Sequence, residues 1–320
     1  MTSERDFISS LRRLAADPAA RRLEDDAAVL EFGGASLVLT HDMIVEGVHF
    51  LADDPPPDVA WKAVAVNLSD LAAKGATPVG LLMGYSLGGD RSWDEAFVTG
   101  LAQVLAHYDV PLLGGDTVSA AAGSGGRCIG ITAIGRAPPP VVSRGGARAG
   151  DSLWVSGSIG DAGAGLRIAR GELAGSPRLL DRYRRPQPRL QAGTALAPLA
   201  GAMMDVSDGL LIDAHRMAEA SGVAASIDLS LVPLSPDLVA ATGEDLAARL
   251  AAATAGDDYE LLFAAPPALA EMLDDLATAL GLPLTRVGRF AAGSGLTLSD
   301  GPEIVPLPIR LGFEHGNGTT

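Results

Sequence analysis

Between residues 61 and 76 apolar side chains recur every three or four positions (Trp61, Val64, Leu68, Leu71). That spacing predicts a helix, yet Asn67, Ser69 and Asp70 interrupt its middle. A surface helix would carry fewer Ala, Val and Leu, and a buried one holds an aspartate only where a cation or a cluster of donors meets it. The pattern before it predicts a short amphipathic helix within 6–16 (Phe7, Ile8, Leu11, Leu14), then two strand-like runs at 28–32 and 36–40 joined by Gly33, Gly34 and Ala35. That hairpin would deliver His41 and Asp42 at its end and set Asp42 opposite Asp26. Beyond a turn at Pro55, Pro56 and Pro57 and the polar-centred helix come a strand at 79–85 and a helix at 93–108. A short strand ending in Gly114, Gly115, Asp116 and Thr117 and a strand at 128–135 complete this half.

Ala137 and the prolines at 138–140 open a linker, so the expected division is 1–137 and 138–320. The second half starts with a strand at 152–156 and a glycine-rich turn at 157–161 that leads into a helix, a phosphate-loop candidate of low specificity. A basic, proline-containing segment at 181–189 reads as an anion-binding rim or a solvated loop. The run 203–205 is a strand ending in acids, Asp205 and Asp208, at the start of a helix that ends near Ser221. Gly256, Asp257 and Asp258 enter a further strand. Strands and helices in this mixture predict a two-domain α/β (α+β) fold.

Composition narrows the chemistry. The net charge is −15 and the basic residues are scattered, which disfavours nucleic acid or an anionic membrane surface as partner. The single cysteine, Cys128, excludes an internal disulfide and disfavours a cysteine zinc site. The first residues have the wrong charge for a signal peptide and the longest weakly polar run, 192–204, is too short to span a bilayer, so the expectation is a soluble cytoplasmic protein. The chain has only two lysines, which makes a metal the expected partner for Asp70.

Asp26, Asp42, Asp116 and the pair Asp205/Asp208 sit at the ends of apolar runs, where α/β sites assemble, and Asp70 sits inside a helix. Any one of these acids could be a cap or a turn; five together suit hard cations, magnesium above all. No glycine-rich loop ending in Lys-Ser or Lys-Thr is present. With so few lysines, metals would have to neutralise a polyphosphate, which points to phosphoryl transfer by positioning and charge neutralisation.

The stretches 24–29, 40–50 and 66–73, followed in order by Gly114-Gly115-Asp116-Thr117, 143–147, 205–210 and 256–261, resemble the thiamine-monophosphate kinase family over nearly the whole chain. The resemblance implies a fold like that of aminoimidazole ribonucleotide synthetase, with an N-terminal ATP- and metal-binding domain whose strands form a barrel across a homodimer. It implies transfer of the ATP γ-phosphate to thiamine monophosphate. By the same resemblance Asp26, Thr40, His41 (through its carbonyl), Asp42, Asp70, Asp116, Asp205 and Asp208 hold several Mg2+ ions. Gly115, Asp116, Arg144, Ser207 and Tyr108 contact ATP, while His49, Asp257 and Phe313 contact thiamine. Asp42, Asp70, Asp116 and Arg144 form the catalytic group.

Three departures from the family pattern stand out. Arg22 and Glu24 replace glycines, His41 replaces a threonine, and Asp257 replaces a glutamate. They leave room for a ligand-binding relative without activity. Relatives with another acceptor, in hydrogenase maturation, selenophosphate formation and purine synthesis, are disfavoured by the position of Cys128 and by the 45–50 segment.

Overall fold

The computed structural model describes residues 4–12, 14–119 and 126–314. The strands are β1 (Ala28–Phe32), β2 (Ala35–Val45), β3 (Thr77–Leu87), β4 (Leu112–Ser119), β5 (Cys128–Ala137), β6 (Ser152–Ser156), β7 (Ala202–Asp205), β8 (Ala224–Asp228), β9 (Leu261–Ala265), β10 (Leu284–Ala291), β11 (Gly295–Asp300) and β12 (Glu303–Val305). The helices are α1 (Glu4–Leu11), α2 (Pro56–Ala73), α3 (Arg91–Tyr108), α4 (Asp161–Ala169), α5 (Pro177–Arg184), α6 (Leu190–Leu196), α7 (Leu210–Ser221), α8 (Pro236–Thr242), α9 (Leu246–Thr254) and α10 (Ala270–Leu280). Two mixed sheets result, ordered β1-β2-β5-β3-β4 and β12-β11-β8-β10-β6-β9-β7. Only β3/β4 and β8/β11 pair in parallel among the described residues.

Helix α2 lies between the halves, against β2 and β5 on one side and against α6 and β7 on the other. That explains a helix apolar almost all round: 14 of its 18 residues are buried. Its prolines do not form a preceding turn. Pro55 is the N-cap and Pro56 and Pro57 lie in the first turn, where a missing N–H leaves no hydrogen bond unmade. Gly193 lets α6 approach, since a Cβ there would lie 2.0 Å from the Ala72 carbonyl oxygen.

Three element ends differ from the sequence expectation. β2 runs on to Val45 because Met43, Ile44 and Val45 continue the ladder with Gly130, Ile129 and Cys128, so Asp42 lies within a strand rather than at its end. β4 likewise continues through Asp116 to Ser119. α1 stops at Leu11, and Asp17 then caps a 3-10 turn at Pro18–Leu23.

Alternation sorts the first sheet. Val38, Thr40 and Ile44, with Leu81, Tyr85, Ile129, Ile131 and Ala133, are buried on the helix side. The registers put Leu30, Phe32, Met43, Leu82 and Val118 on the opposite side, where all five are exposed.

Candidate active site

The polar trio in α2 joins the two halves. The Asn67 side-chain carbonyl accepts the backbone N–H of Asp42 (2.9 Å), while its amide donates to the Ala63 carbonyl (3.0 Å). Ser69 donates to Asp205 at the end of β7 (2.5 Å). Asp70 accepts from the Thr40 hydroxyl on β2. Asp26, Asp70 and Asp205 thereby each present a carboxylate oxygen within 4.8 Å of the others. Asp42, Asp208, Ser207 and Arg144 complete the wall of a cavity of about 1030 Å³ over this corner.

Burial raises the Asp70 carboxyl well above its ordinary range, with Asp42 and Asp205 adding to it and Thr40 and Lys74 opposing. Asp205 is pushed up to about 6, again first by burial, despite the Ser69 hydrogen bond. Asp42 is raised by the cleft's shielding from water, with His41 opposing and Asp208 adding. Asp25 behaves in the opposite way. Burial alone would raise it, but Lys74 and Arg21 outweigh the lost hydration and hold it below the usual carboxylate range. Arg144 pairs with Asp26 Oδ1, and its buried Nε has no hydrogen-bond partner among the described residues. Burial lowers its guanidinium from the ordinary value.

The 205–210 turn is shaped by Asp213, which accepts the N–H groups of Ser207 (3.1 Å), Asp208 (3.1 Å) and Gly209 (3.2 Å). Arg216 ties Asp213 (3.0 Å) to Asp208 (2.5 Å). The 256–260 segment folds onto the same turn through Asp257 N–H to the Ser207 carbonyl (2.7 Å) and Tyr259 N–H to the Val206 carbonyl (2.8 Å). Both Asp257 (φ 71°) and Tyr259 (φ 51°) adopt left-handed backbone that side chains ordinarily avoid, a form of strain that collects at functional sites.

His49, Asp257, Phe313, Tyr108, Gly115, Asp116 and the His41 ring are not part of the cavity wall. His49 and Asp257 meet at Lys62 instead, whose buried ammonium donates to the His49 carbonyl and to Asp257 Oδ2, both at 2.8 Å, and lies 4.2 Å from the centre of the Tyr183 ring. The backbone N–H of Phe313 donates to the Asp208 carbonyl (2.9 Å), which holds this residue against the 205–210 turn. Tyr108 packs against Trp61, and its hydroxyl is raised to about 12 by burial. The His41 ring pairs with Thr132 Oγ1 (2.8 Å) on the open face of the sheet. Asp116 lies opposite Gly84 on that face. Gly115 shares a register with Asp42 three strands away, about 14 Å at roughly 4.8 Å per strand. Gly115 is sterically required, because its φ is 154° and a Cβ would fall 1.9 Å from the Met83 carbonyl oxygen.

Two other candidates have structural partners. The amides of Gly160 (2.8 Å) and Ala162 (3.3 Å) in the glycine-rich turn donate to Asp258, so a carboxylate of the chain already fills the phosphate-loop candidate. The basic segment is neither rim nor free loop: Arg182 and Arg189 grip buried Glu260, while Arg184 and Arg185 pair with Asp54 (2.9 Å) and Asp58 (2.5 Å) beside and within the first turn of α2. The sequence reading missed Lys62, Lys74, Asp25, Asp213 and Arg216. Lys74 was signalled by its place four residues after Asp70, one helical turn away.

The two halves of the chain match the two domains of the AIR synthase related proteins. The model of their N-terminal domain matches residues 24–137 and that of their C-terminal domain residues 148–301. The chain is 42% identical to the thiamine-monophosphate kinase of Caulobacter vibrioides, covering 98% of this chain and 91% of that one, and 38% identical to that of Escherichia coli K12, covering 91% and 90%. It belongs to the thiamine-monophosphate kinase family. The solved structure described as AaThiL complexed with AMPPCP and TMP superposes with a TM-score of 0.84 at 31% identity, covering 98% of this chain and 97% of that one. The hydrogenase maturation protein HypE of E. coli, at 24% identity and a TM-score of 0.74, shares the fold alone.

Proposed function

We propose that this chain transfers the γ-phosphate of ATP to thiamine monophosphate, giving thiamine diphosphate, by direct in-line displacement. The observation that carries this reading is the convergence of Asp26, Asp70 and Asp205 from three separate segments under a cavity that Arg144 also lines. An all-oxygen donor set whose carboxyls are held up by burial suits magnesium. Asp70 and Asp205, with Asp42 beside them, would hold Mg2+; Asp26 converges on the same point but already meets Lys74 and Arg144, so it stands with Asp208, Thr40 and the His41 carbonyl at the margins of the set. Magnesium, when bound, supplies the positive charge that a transferring phosphoryl group requires.

The protein's own part is to hold two anions together. The unpartnered Nε of Arg144 is a donor available to phosphate oxygens, and Ser207 lies on the same wall. The acceptor phosphate has a second pKa near 6, so it is an anion near neutral pH and requires no general base. Asp257 and Phe313 border the 205–210 turn and His49 is joined to Asp257 through Lys62, so that these three would contact the acceptor.

Gly115 and Asp116 lie far from this chain's own acids, and the uncovered sheet face is apolar at five positions. Both features support a homodimer in which these residues complete the second copy's site. No helix among the described residues is long and apolar enough to cross a membrane. We infer a cytoplasmic enzyme, in keeping with its single cysteine.

The test is an assay of purified protein with ATP, magnesium and either thiamine monophosphate or free thiamine. Diphosphate should form from the monophosphate while free thiamine reacts poorly. Equal use of both acceptors would overturn the assignment of acceptor and site.

A further inference from the structure

Lys74 is among the largest wholly buried side chains of the described residues, and it is charged. It forms the C-cap of α2, and its ammonium lies 2.5 Å from Asp25 Oδ1 and 2.7 Å from Asp26 Oδ2 and donates to the Met203 carbonyl at 3.2 Å. Those partners come from the loop before β1 and from β7, so one ammonium joins three segments that frame the acid corner. The remaining oxygens of this pair are also met by cations. Asp25 Oδ2 accepts from Arg21 (2.5 Å) and Asp26 Oδ1 pairs with Arg144. Two carboxylates therefore face three basic side chains.

The other half of the corner is the reverse. Asp70 is met by the Thr40 hydroxyl and Asp205 by the Ser69 hydroxyl, while Asp42 is approached by Asp208. No lysine or arginine pairs with Asp42, Asp70 or Asp205 among the described residues, and the converging carboxylates of Asp70 and Asp205 have hydroxyl partners only. A buried carboxylate group in that condition calls for a cation, and the Asp25–Asp26 half already has one.

We propose that the Lys74 ammonium is a resident cation that fills the position between Asp25 and Asp26, confining divalent metal to the Asp42–Asp70–Asp205 side. Magnesium bonds oxygen at about 2.1 Å, so an ion on Asp26 Oδ2 would lie no more than about 5 Å from the ammonium, with nothing but that carboxylate to screen their repulsion. Removing the charge should open that position. The inference rests on the magnesium reading above but not on the identity of the acceptor.

The experiment counts Mn2+ bound per chain, by equilibrium dialysis and electron paramagnetic resonance, with and without a non-hydrolysable ATP analogue, and measures melting with and without magnesium. It compares wild type with Lys74→Met, Lys74→Gln and Lys74→Arg. The neutral variants should bind one more ion than wild type. Without metal they should melt lower, and millimolar magnesium should recover most of that loss. Lys74→Arg, which keeps the charge, should bind as wild type does. Wild-type stoichiometry in both neutral variants would overturn the proposal, as would a loss of melting temperature that magnesium leaves unchanged. Neutral variants that fail to fold even with magnesium would also overturn it, because then no metal takes the ammonium's place. Failure of the wild-type protein to phosphorylate thiamine monophosphate, with one more ion bound by the neutral variants, would count against the proposed function and leave this inference standing.

Discussion

The acid corner and the β4 edge begin from the same signature, an aspartate beside an apolar run, and end in opposite surroundings. Asp70 on α2 and Asp205 against that helix are buried, with their carboxyls raised by lost hydration. Asp116 stands on an outer strand whose eight residues are all exposed, on the sheet face without helices. Linear spacing marks where an acid can be presented, whereas the pleat and the strand order decide to which side of the sheet it is presented.

The largest effect expected from that contrast is on turnover. Asp70→Asn keeps shape and removes charge, and should lower turnover by about 100-fold or more at every magnesium concentration, as measured in steady state. Because the native fold holds that carboxyl against its ionisation, the same variant should melt no lower than wild type without metal.

Asp116→Asn should also slow turnover, but in a way that can be complemented. If Asp116 serves the second copy, mixing unfolded Asp116→Asn and Asp70→Asn chains and refolding them gives one intact site in each mixed dimer, about a quarter of wild-type activity with random pairing. Activity no higher than that of the separate variants would return Asp116 to its own chain or to no role.

A smaller effect concerns the acceptor side. Lys62→Met should raise KM for thiamine monophosphate several-fold and leave that for ATP little changed, because the ammonium holds both the His49 carbonyl and Asp257. Asp257→Ala should act in the same direction. A fall in melting temperature with neither KM altered would reduce both residues to scaffolding.

The pH response tests the charge asymmetry. Asp205 titrates near 6 in the folded chain against 3.8 for an ordinary aspartate, so the fold keeps a proton that the unfolded chain releases. Its contribution to stability accordingly falls as pH rises from about 4 to about 6, and metal, which binds the ionised form, should stabilise more over the same interval. The gain in melting temperature on adding magnesium should therefore grow from about pH 5 to about pH 7. A gain independent of pH would contradict the assignment of Asp205.

The smallest effect is local. Arg22 stands where the family has glycine, with a left-handed φ of 61°, so Arg22→Gly should stabilise the chain by about 1 kcal/mol in chemical denaturation. No gain would show that this turn is unstrained.

Much of this was legible in the sequence, for identifiable reasons. The polar interruption of an apolar helix announced a buried partner for Asp70, since desolvation forbids an idle carboxylate there. The acids at 26, 42 and 205 were readable from the apolar runs beside them. Strand ends were less so, because Met43–Ile44–Val45 pairs with β5 as readily as the residues before it, and nothing local says where a ladder stops. Lysine scarcity pointed to metal as the partner of Asp70 and hid the alternative: both lysines went into the interior, one on each side of the site. Long-range partners such as Glu260 for Arg189 or Asp25 for Lys74 have no local signal at all.

The proposed reaction requires α2 to carry a metal-binding carboxylate into the cleft between the two halves. The most direct measurement is Mn2+ bound per chain in wild type and in Asp70→Asn, both with a non-hydrolysable ATP analogue present. The account predicts that the asparagine variant loses at least one ion while its melting temperature is preserved. Undiminished binding by Asp70→Asn would contradict it.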